Sequence, residues 1–257
     1  MKFGIDLGHG VGQDRGAVGN IAEETIIDAV GPLVINKLKA LGHSVIELRP
    51  DSATSVQDSL YQRYTKADYY NVDMCVSIHA NAGGGVGTEV FTYGAKEVPQ
   101  AREVLDNIVS LGFRNRGIKD GSNLAMVKRP KATSMLIEIC FVDSSDSDLY
   151  STIGPEVIAT EIVEGLTGQV ISTKGEWIQD DTGWWYKHSD GSYTKCDWEK
   201  IDGEWYYFDY KGYMVTGWLH LTSNNKDYYF YSNGKMAHDC ELWGTYKFDS
   251  NGVATKI

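Results

Sequence analysis

No stretch of this chain approaches the ~20 consecutive apolar residues that a membrane-spanning helix needs, so no helical span is expected. Positive charge is in short supply. The 24 Lys and Arg stand against 35 Asp and Glu, a formal net charge of −11, which argues against nucleic acid as a partner. Cysteine is scarce: Cys75, Cys140, Cys196 and Cys240 contain no C-x-x-C pair, so no zinc knuckle or dithiol redox motif is indicated. Cys75 and Cys140 sit in apolar runs and read as small core residues, and the other two read as free thiols. The first ten residues lack a basic segment, a signal-like apolar stretch and a cleavage site. A protein made in the cytoplasm without an ordinary signal peptide is therefore expected. Tryptophan is missing from the first 176 residues: all 7 lie beyond them, with most of the 16 Tyr. What is present, 42% hydrophobic and 23% charged residues over 257 positions, suits one or two folded domains rather than a disordered chain.

The two halves follow different periods. In the first, short apolar runs at 2–7, 44–48, 73–78, 88–92 and 135–141 read as strands. Several are apolar almost throughout, as strands covered on both faces are. Between them, 23–41, 56–71, 98–111 and 155–166 read as helices. In the first helix Ile27, Val30, Val34, Leu38 and Leu41 form one stripe, and Gly42 follows as a stop. Alternating strands and helices predict an α/β domain over residues 1–170, a mostly parallel sheet with helices on both faces. Ligands of such sheets bind beyond the carboxyl ends of the strands.

From about residue 175 the chain repeats. Trp177, Trp198 and Trp218 are 21 and 20 apart. The pairs Asp190-Gly191, Lys211-Gly212, Asn233-Gly234 and Asn251-Gly252 each follow an aromatic cluster. A β-rich aromatic stretch, a polar-Gly turn and a second short strand predict a hairpin in each unit. A lone hairpin is marginal in water, so the units must stack, giving an all-β hairpin-repeat solenoid over 175–257. The segment 168–175 reads as the linker.

Three residues of the first half draw attention. His9 and His79 each follow a predicted strand, and Glu23 opens the first long helix. Two imidazoles and one carboxylate are the ligand set of many hydrolytic zinc sites, although polar residues at strand ends read the same way. The adjacent Glu24 is an alternative to Glu23, which lies on the apolar stripe turned toward the sheet. Glu138 interrupts the apolar run Met-Leu-Ile-Glu-Ile-Cys-Phe-Val. Burying an unpaired carboxylate costs several kcal/mol, roughly, so it is either half of a salt bridge or a general base with a raised pKa.

The ordered set Asp6-Leu-Gly-His9-Gly, Gly16-Ala-Val-Gly19, a helix-opening acid, Ser77-Ile-His79-Ala-Asn81-Ala, Gly87-Thr-Glu-Val90, Asn115-Arg-Gly117 and Ile137-Glu138-Ile-Cys-Phe141 resembles the zinc-dependent N-acetylmuramoyl-L-alanine amidases of phage endolysins and bacterial autolysins. The resemblance covers roughly residues 1–168. It implies that His9, Glu23 and His79 bind Zn2+, that Glu138 is catalytic, and that the substrate is peptidoglycan, cut between the lactyl group and L-alanine. Asn81, Arg116 and Leu124 fall in segments expected to border the cleft, and Arg63 is expected in a structural ion pair.

The unit from Gly203 to Trp218 is similar to the choline-binding, cell-wall-binding repeats of lytic proteins. That likeness implies aromatic cages for a quaternary ammonium, held by cation–π attraction, with Trp185, Trp198, Trp205, Tyr213 and Trp218 as candidates. Asp227 and Thr245 stand where the closest unit has Trp205, so the ligand is choline or another teichoic-acid or wall group. The joint expectation is a wall hydrolase, most simply a phage endolysin acting at the bacterial wall. An autolysin, a wall-binding protein without catalysis and a stem-peptide peptidase are the alternatives.

Overall fold

The computed structural model describes residues 1–171, 175–189 and 191–257. They divide into a unit of Met1–Ile171 and a second unit made by the residues beyond it. Residues 172–174 of the 168–175 segment and Asp190 of the first Gly turn lie outside the described residues.

Chain order in the first unit is β1 (Lys2–Leu7), α1 (Glu23–Ala40), β2 (Ser44–Glu47), α2 (Val56–Tyr69), β3 (Met74–Asn81), β4 (Thr88–Thr92), α3 (Pro99–Ser110), β5 (Asn115–Asp120), α4 (Ala125–Lys128), β6 (Thr133–Phe141), α5 (Asp146–Ile153) and α6 (Pro155–Thr167). The sheet runs β2-β1-β3-β6-β4-β5, parallel throughout except where β4 meets β6. The apolar strands β1, β3 and β6 are therefore central. Alternate side chains of β3 part company: Met74, Val76 and Ile78 enter a large core with Val30, Val34 and Leu38 of α1, Val104 and Leu105 of α3, and Ile158 and Ile162 of α6. Cys75 enters a smaller core with Leu48, Ala67 and Met126, from the side of α2 and α4. The strand period of two thus gives the sheet two covered faces.

Sequence pattern misses β5, α4 and α5. β5 (Asn-Arg-Gly-Ile-Lys-Asp) is an edge strand with a single large apolar residue, the charged composition by which edges avoid pairing with other chains. α5 has only eight residues, too few for a clear stripe. No helix among the described residues is long and apolar enough to cross a membrane.

The second unit contains antiparallel ladders: β7 (Glu176–Gln179) with β8 (Trp184–Lys187), β9 (Asp197–Ile201) with β10 (Glu204–Phe208), β11 (Gly217–Leu221) with β12 (Lys226–Phe230), and β13 (Cys240–Leu242) with β14 (Tyr246–Phe248) and β15 (Ala254–Lys256). The hairpins close one step earlier than the sequence pattern predicts. The aromatic stretches are the second strands, and the turns lie before them. In the clearest case Asp202-Gly203 joins Ile201 to its partner Glu204, with φ of 49° and 88°. Two successive positive φ values are the mark of a type I′ turn, whose twist suits paired strands. Lys211-Gly212 and Asn233-Gly234 instead fold the chain back through single bridges, Phe208 with Met214 and Phe230 with Met236. Among the described residues, Asn251-Gly252 alone of these pairs lies between two full paired strands, β14 and β15.

Successive hairpins stack through the evenly spaced tryptophans. Trp177 packs on Tyr186 of its own hairpin and on Tyr206 and Phe208 of the next. Trp198 repeats this with Tyr207, then Tyr228 and Phe230, and Trp218 with Tyr229, then Tyr246 and Phe248. Backbone bonds tie the same steps: the Met214 N–H donates to the Trp184 carbonyl at 2.7 Å and Met236 to Trp205 at 2.8 Å.

Candidate active site and aromatic pockets

β1 and β3 are neighbours, so their carboxyl ends bring His9 and His79 together, ring centroids 4.8 Å apart and nearly perpendicular. The approach depends on Gly8: a Cβ there would lie 2.4 Å from the His79 ring. α1 starts beside the same sheet edge and buries Glu23 between the imidazoles. Glu23 Oε1 is 3.5 Å from His9 Nε2 and 3.0 Å from His79 Nδ1. One ligand atom from each of the three residues falls within 4.8 Å of the others. Glu24 is placed elsewhere, paired with Arg15 at 2.8 Å and accepting from Gly16 N–H.

The surroundings hold these groups in orientation. Glu23 accepts from the Ala17 N–H through Oε2 and from the Ala80 N–H through Oε1. His9 Nδ1 lies 2.8 Å from Asp14 Oδ1, leaving Nε2 to face the cluster. Asp14 Oδ2 accepts from Ser59 Oγ, which also accepts from Arg63 Nε. Arg63 is fully buried; it pairs with Asp6 and donates to the Leu7 carbonyl and, at 2.7 Å, to the His9 carbonyl. His9 has a φ of 54°, uncommon for a residue with a side chain, and that grip on its carbonyl helps hold it there. Arg63 thus makes the expected ion pair and also positions a site residue.

Burial works against charge throughout, yet the partners prevail. Desolvation opposes protonation of His9, but its bond to Asp14 and the charges of Glu23 and Asp14 leave its pKa raised. Burial lifts Glu23, but the bond to His79 and the two imidazole charges bring it below the usual carboxylate range. Burial lifts Asp14 as well, and the His9 and Ser59 bonds outweigh it and bring the pKa to about 2.

Glu138 has no such relief. It lies beside His79 in the β3–β6 register and opposite Glu89 in the β4–β6 register. Its Oε2 is buried without a hydrogen-bond partner among the described residues. Burial, then the charges of Glu23 and Glu89, push its pKa well above the ordinary value. Two imidazole nitrogens and a carboxylate oxygen suit a zinc-like ion with one open position. A neighbouring acid with a free oxygen and a raised pKa suits proton transfer to and from a reactant there. The residues present therefore fit a divalent metal.

Asn81 and Arg116 both join Glu89: Asn81 Nδ2 donates to Oε1 and Arg116 Nε to Oε2, each at 2.8 Å. Leu124 lies instead at the start of α4, which packs toward α2. Sequence reasoning missed Asp14, Ser59 and Glu89. Glu89 carried a usable signal, an acid inside the strand Thr-Glu-Val-Phe-Thr, the same irregularity that marks Glu138.

In the second unit the five candidate aromatics fall into three groups. Trp185 and Tyr213 line one pocket with Tyr193, Asp180 and Lys211. Trp198 and Trp205 line another with Tyr228 and Met236. Trp218, about half exposed, lies against Tyr229, Trp243 and Tyr246. Tyr193, Tyr228 and Trp243 come from the turn or hairpin that follows in the chain, and repeat spacing alone did not single them out.

Residues 4–168 match the family model described as N-acetylmuramoyl-L-alanine amidase. Residues 196–221 match a choline-binding repeat and 216–236 a cell wall binding repeat. An uncharacterized protein of Clostridium perfringens strain 13 is 29% identical over 180 residues, 66% of this chain and 53% of that protein. The chain thus spans about half the length of that relative. Among solved structures, the catalytic domain of an endolysin targeting Clostridia Difficile is 27% identical with a TM-score of 0.61, covering 67% of this chain and 99% of that one. An N-acetylmuramoyl-L-alanine amidase from Clostridium difficile 630 is 26% identical with a TM-score of 0.57, over 65% of this chain and 95% of that one.

Proposed function

Because the chain belongs to the N-acetylmuramoyl-L-alanine amidase family, we propose that it hydrolyses peptidoglycan at the amide between the lactyl group of N-acetylmuramic acid and L-alanine. Its substrate sits in the bacterial wall, where the second unit holds it. The observation that carries this reading is the convergence of His9, Glu23 and His79 beside the unpartnered oxygen of Glu138.

His9, Glu23 and His79 would hold Zn2+. Bound there, the ion supplies Lewis acidity to the scissile carbonyl and to the attacking water. Glu138 takes the proton from that water and delivers it to the nitrogen of the departing alanine. Its raised pKa suits both halves of the transfer. Asp14 and Arg63 keep His9 in its tautomer and backbone conformation, so that Nε2 faces inward.

The wall ligand of the second unit is choline or another cationic teichoic-acid group, taken by the pockets of Trp185, Tyr193 and Tyr213 and of Trp198, Trp205 and Tyr228, with Trp218 in a third aromatic group. A quaternary ammonium donates no ordinary hydrogen bond, so an aromatic face is its best neutral partner. Tethering raises the concentration of the hydrolase at its polymer. Its setting is lysis, as an endolysin.

Mass spectrometry of digested muropeptides tests the reaction. Intact stem peptides beginning at L-alanine, with matching new amino groups, are expected; shortened stems would reassign the protein as a peptidase. Choline titrations followed by tryptophan fluorescence test the repeats, and no saturable change would point to another wall group.

A further inference from the structure

The sheet carries a row of four polar side chains across neighbouring strands: His79 on β3, Glu138 on β6, Glu89 on β4 and Arg116 on β5. The last member reaches the row through a bulge. Thr88 pairs with Asn115 and Val90 with Ile118, so Arg116 and Gly117 together oppose Glu89. Gly117 takes a φ of 87°. Bulges of this kind re-aim side chains near functional sites.

Arg116 is held but not satisfied. Its Nε donates to Glu89 Oε2 at 2.8 Å, and its guanidinium lies 4.8 Å from the centre of the Phe141 ring. Glu89 is itself fixed by Asn81. Among the described residues, neither terminal amino group of Arg116 has an acceptor, and the side chain is about one-third exposed. An oriented guanidinium with a free fork takes a carboxylate in two parallel bonds.

We propose that Arg116 is the carboxylate-reading subsite for the stem peptide, binding the free α-carboxyl of the glutamyl residue that follows alanine. The proposal rests on the amidase reading. The saccharide side of the scissile bond offers no anion, because its lactyl carboxyl is consumed in the amide. The peptide side does: its second residue is joined through the γ-carboxyl, and the α-carboxyl is left free or amidated. Arg116 stands two strand spacings, about 10 Å, from Glu138. An extended residue advances about 3.5 Å, so the second residue's carboxyl falls within the span that a flexible arginine side chain closes. Arg116 would thus discriminate walls with free glutamate from walls with the amide.

The test is calorimetry with the full zinc-loaded chain and two tripeptides, L-Ala-γ-D-Glu-L-Lys and its α-amide. The native protein is expected to bind the acid about tenfold more tightly, the worth of a charge-assisted pair. In Arg116→Ala the preference falls to about one, and Arg116→Lys keeps part of it through charge without the fork. Since Arg116→Ala strands a buried carboxylate, Glu89→Gln with Arg116→Ala repeats the test without that charge. Equal binding of the two peptides by the native protein, no binding of either, or an unchanged preference in the Arg116 variants overturns the proposal. A preserved preference without any hydrolysis supports the subsite and counts against the amidase reading instead.

Discussion

The two units solve opposite problems with opposite materials. The first hides charge: Asp6, Asp14, Glu23, Arg63 and Glu89 are all buried in an otherwise apolar α/β domain. The second displays apolar surface: Trp184, Trp205, Trp218, Tyr210 and Trp243 are exposed on short hairpins. Buried charge is costly and must be placed to within a bond length, so function there is concentrated in a few residues that cannot be exchanged. Exposed aromatic surface is tolerant and repetitive, so function there is spread over copies. The same contrast separates the two proposed chemistries, proton transfer and capture of a soft cation.

Breaking the first unit's side of this contrast is expected to have the largest effect. Glu138→Gln removes proton transfer but keeps shape, and muropeptide release should fall about 10²–10⁴-fold, with secondary structure by circular dichroism unchanged. A drop of less than tenfold would mean the proton travels elsewhere. Trp198→Ala strikes the other unit's core, where one ring touches Tyr207, Tyr228 and Phe230. About 3–5 kcal/mol of that unit's stability should be lost, read by denaturant titration, while hydrolysis of soluble muropeptides stays normal. Asp14→Ala should weaken zinc binding about 10–100-fold in chelator competition, because His9 loses the acceptor on Nδ1. Trp205→Ala should cost least: its ring is 40% exposed, and the remaining pocket keeps part of the wall affinity. Sedimentation with intact walls measures the difference.

A pH series sharpens the comparison further. The Glu138 carboxyl of the metal-free protein titrates well above the 4.5 of a free side chain, chiefly through burial. The unfolded chain therefore releases this proton first as pH rises. Stability present below the ordinary carboxyl range is lost as pH climbs through the raised folded value. Thermal melts of metal-free protein should show that decline, and Glu138→Gln should flatten it. The second unit has no buried acid of this kind among the described residues, so its melting should lack this feature.

Much of this was legible in the residues. The apolar runs of β1, β3 and β6 and the stripe of α1 are local patterns, and burial simply follows them. The same locality marks His9, Glu23, His79 and Glu138, polar residues at the ends or in the middle of otherwise apolar segments. Other features had no local mark. Asp14 is an ordinary loop acid until the fold sets it against His9, and Arg63 an ordinary helix cation until α2 buries it. In the two middle repeats, two turn-like sequences compete, and the pattern alone chose the wrong one to close the hairpins. Asp202-Gly203 prevails over Lys211-Gly212 because two consecutive positive φ values match the twist of the strands they join.

Taken alone, the order of residues determined which segments become strands and helices, which half holds most of the aromatic rings, and which few side chains stand out chemically. Those properties depend on neighbours in the chain. Tertiary structure decided which of them meet. Strand order put β3, β6, β4 and β5 side by side, and so made one row of His79, Glu138, Glu89 and Arg116 from positions up to 59 residues apart. Stacking of hairpins made pockets from rings of different units. Contact across a sheet or between hairpins depends on pairing and register, and these are settled by the burial energy of the whole domain rather than by any one segment.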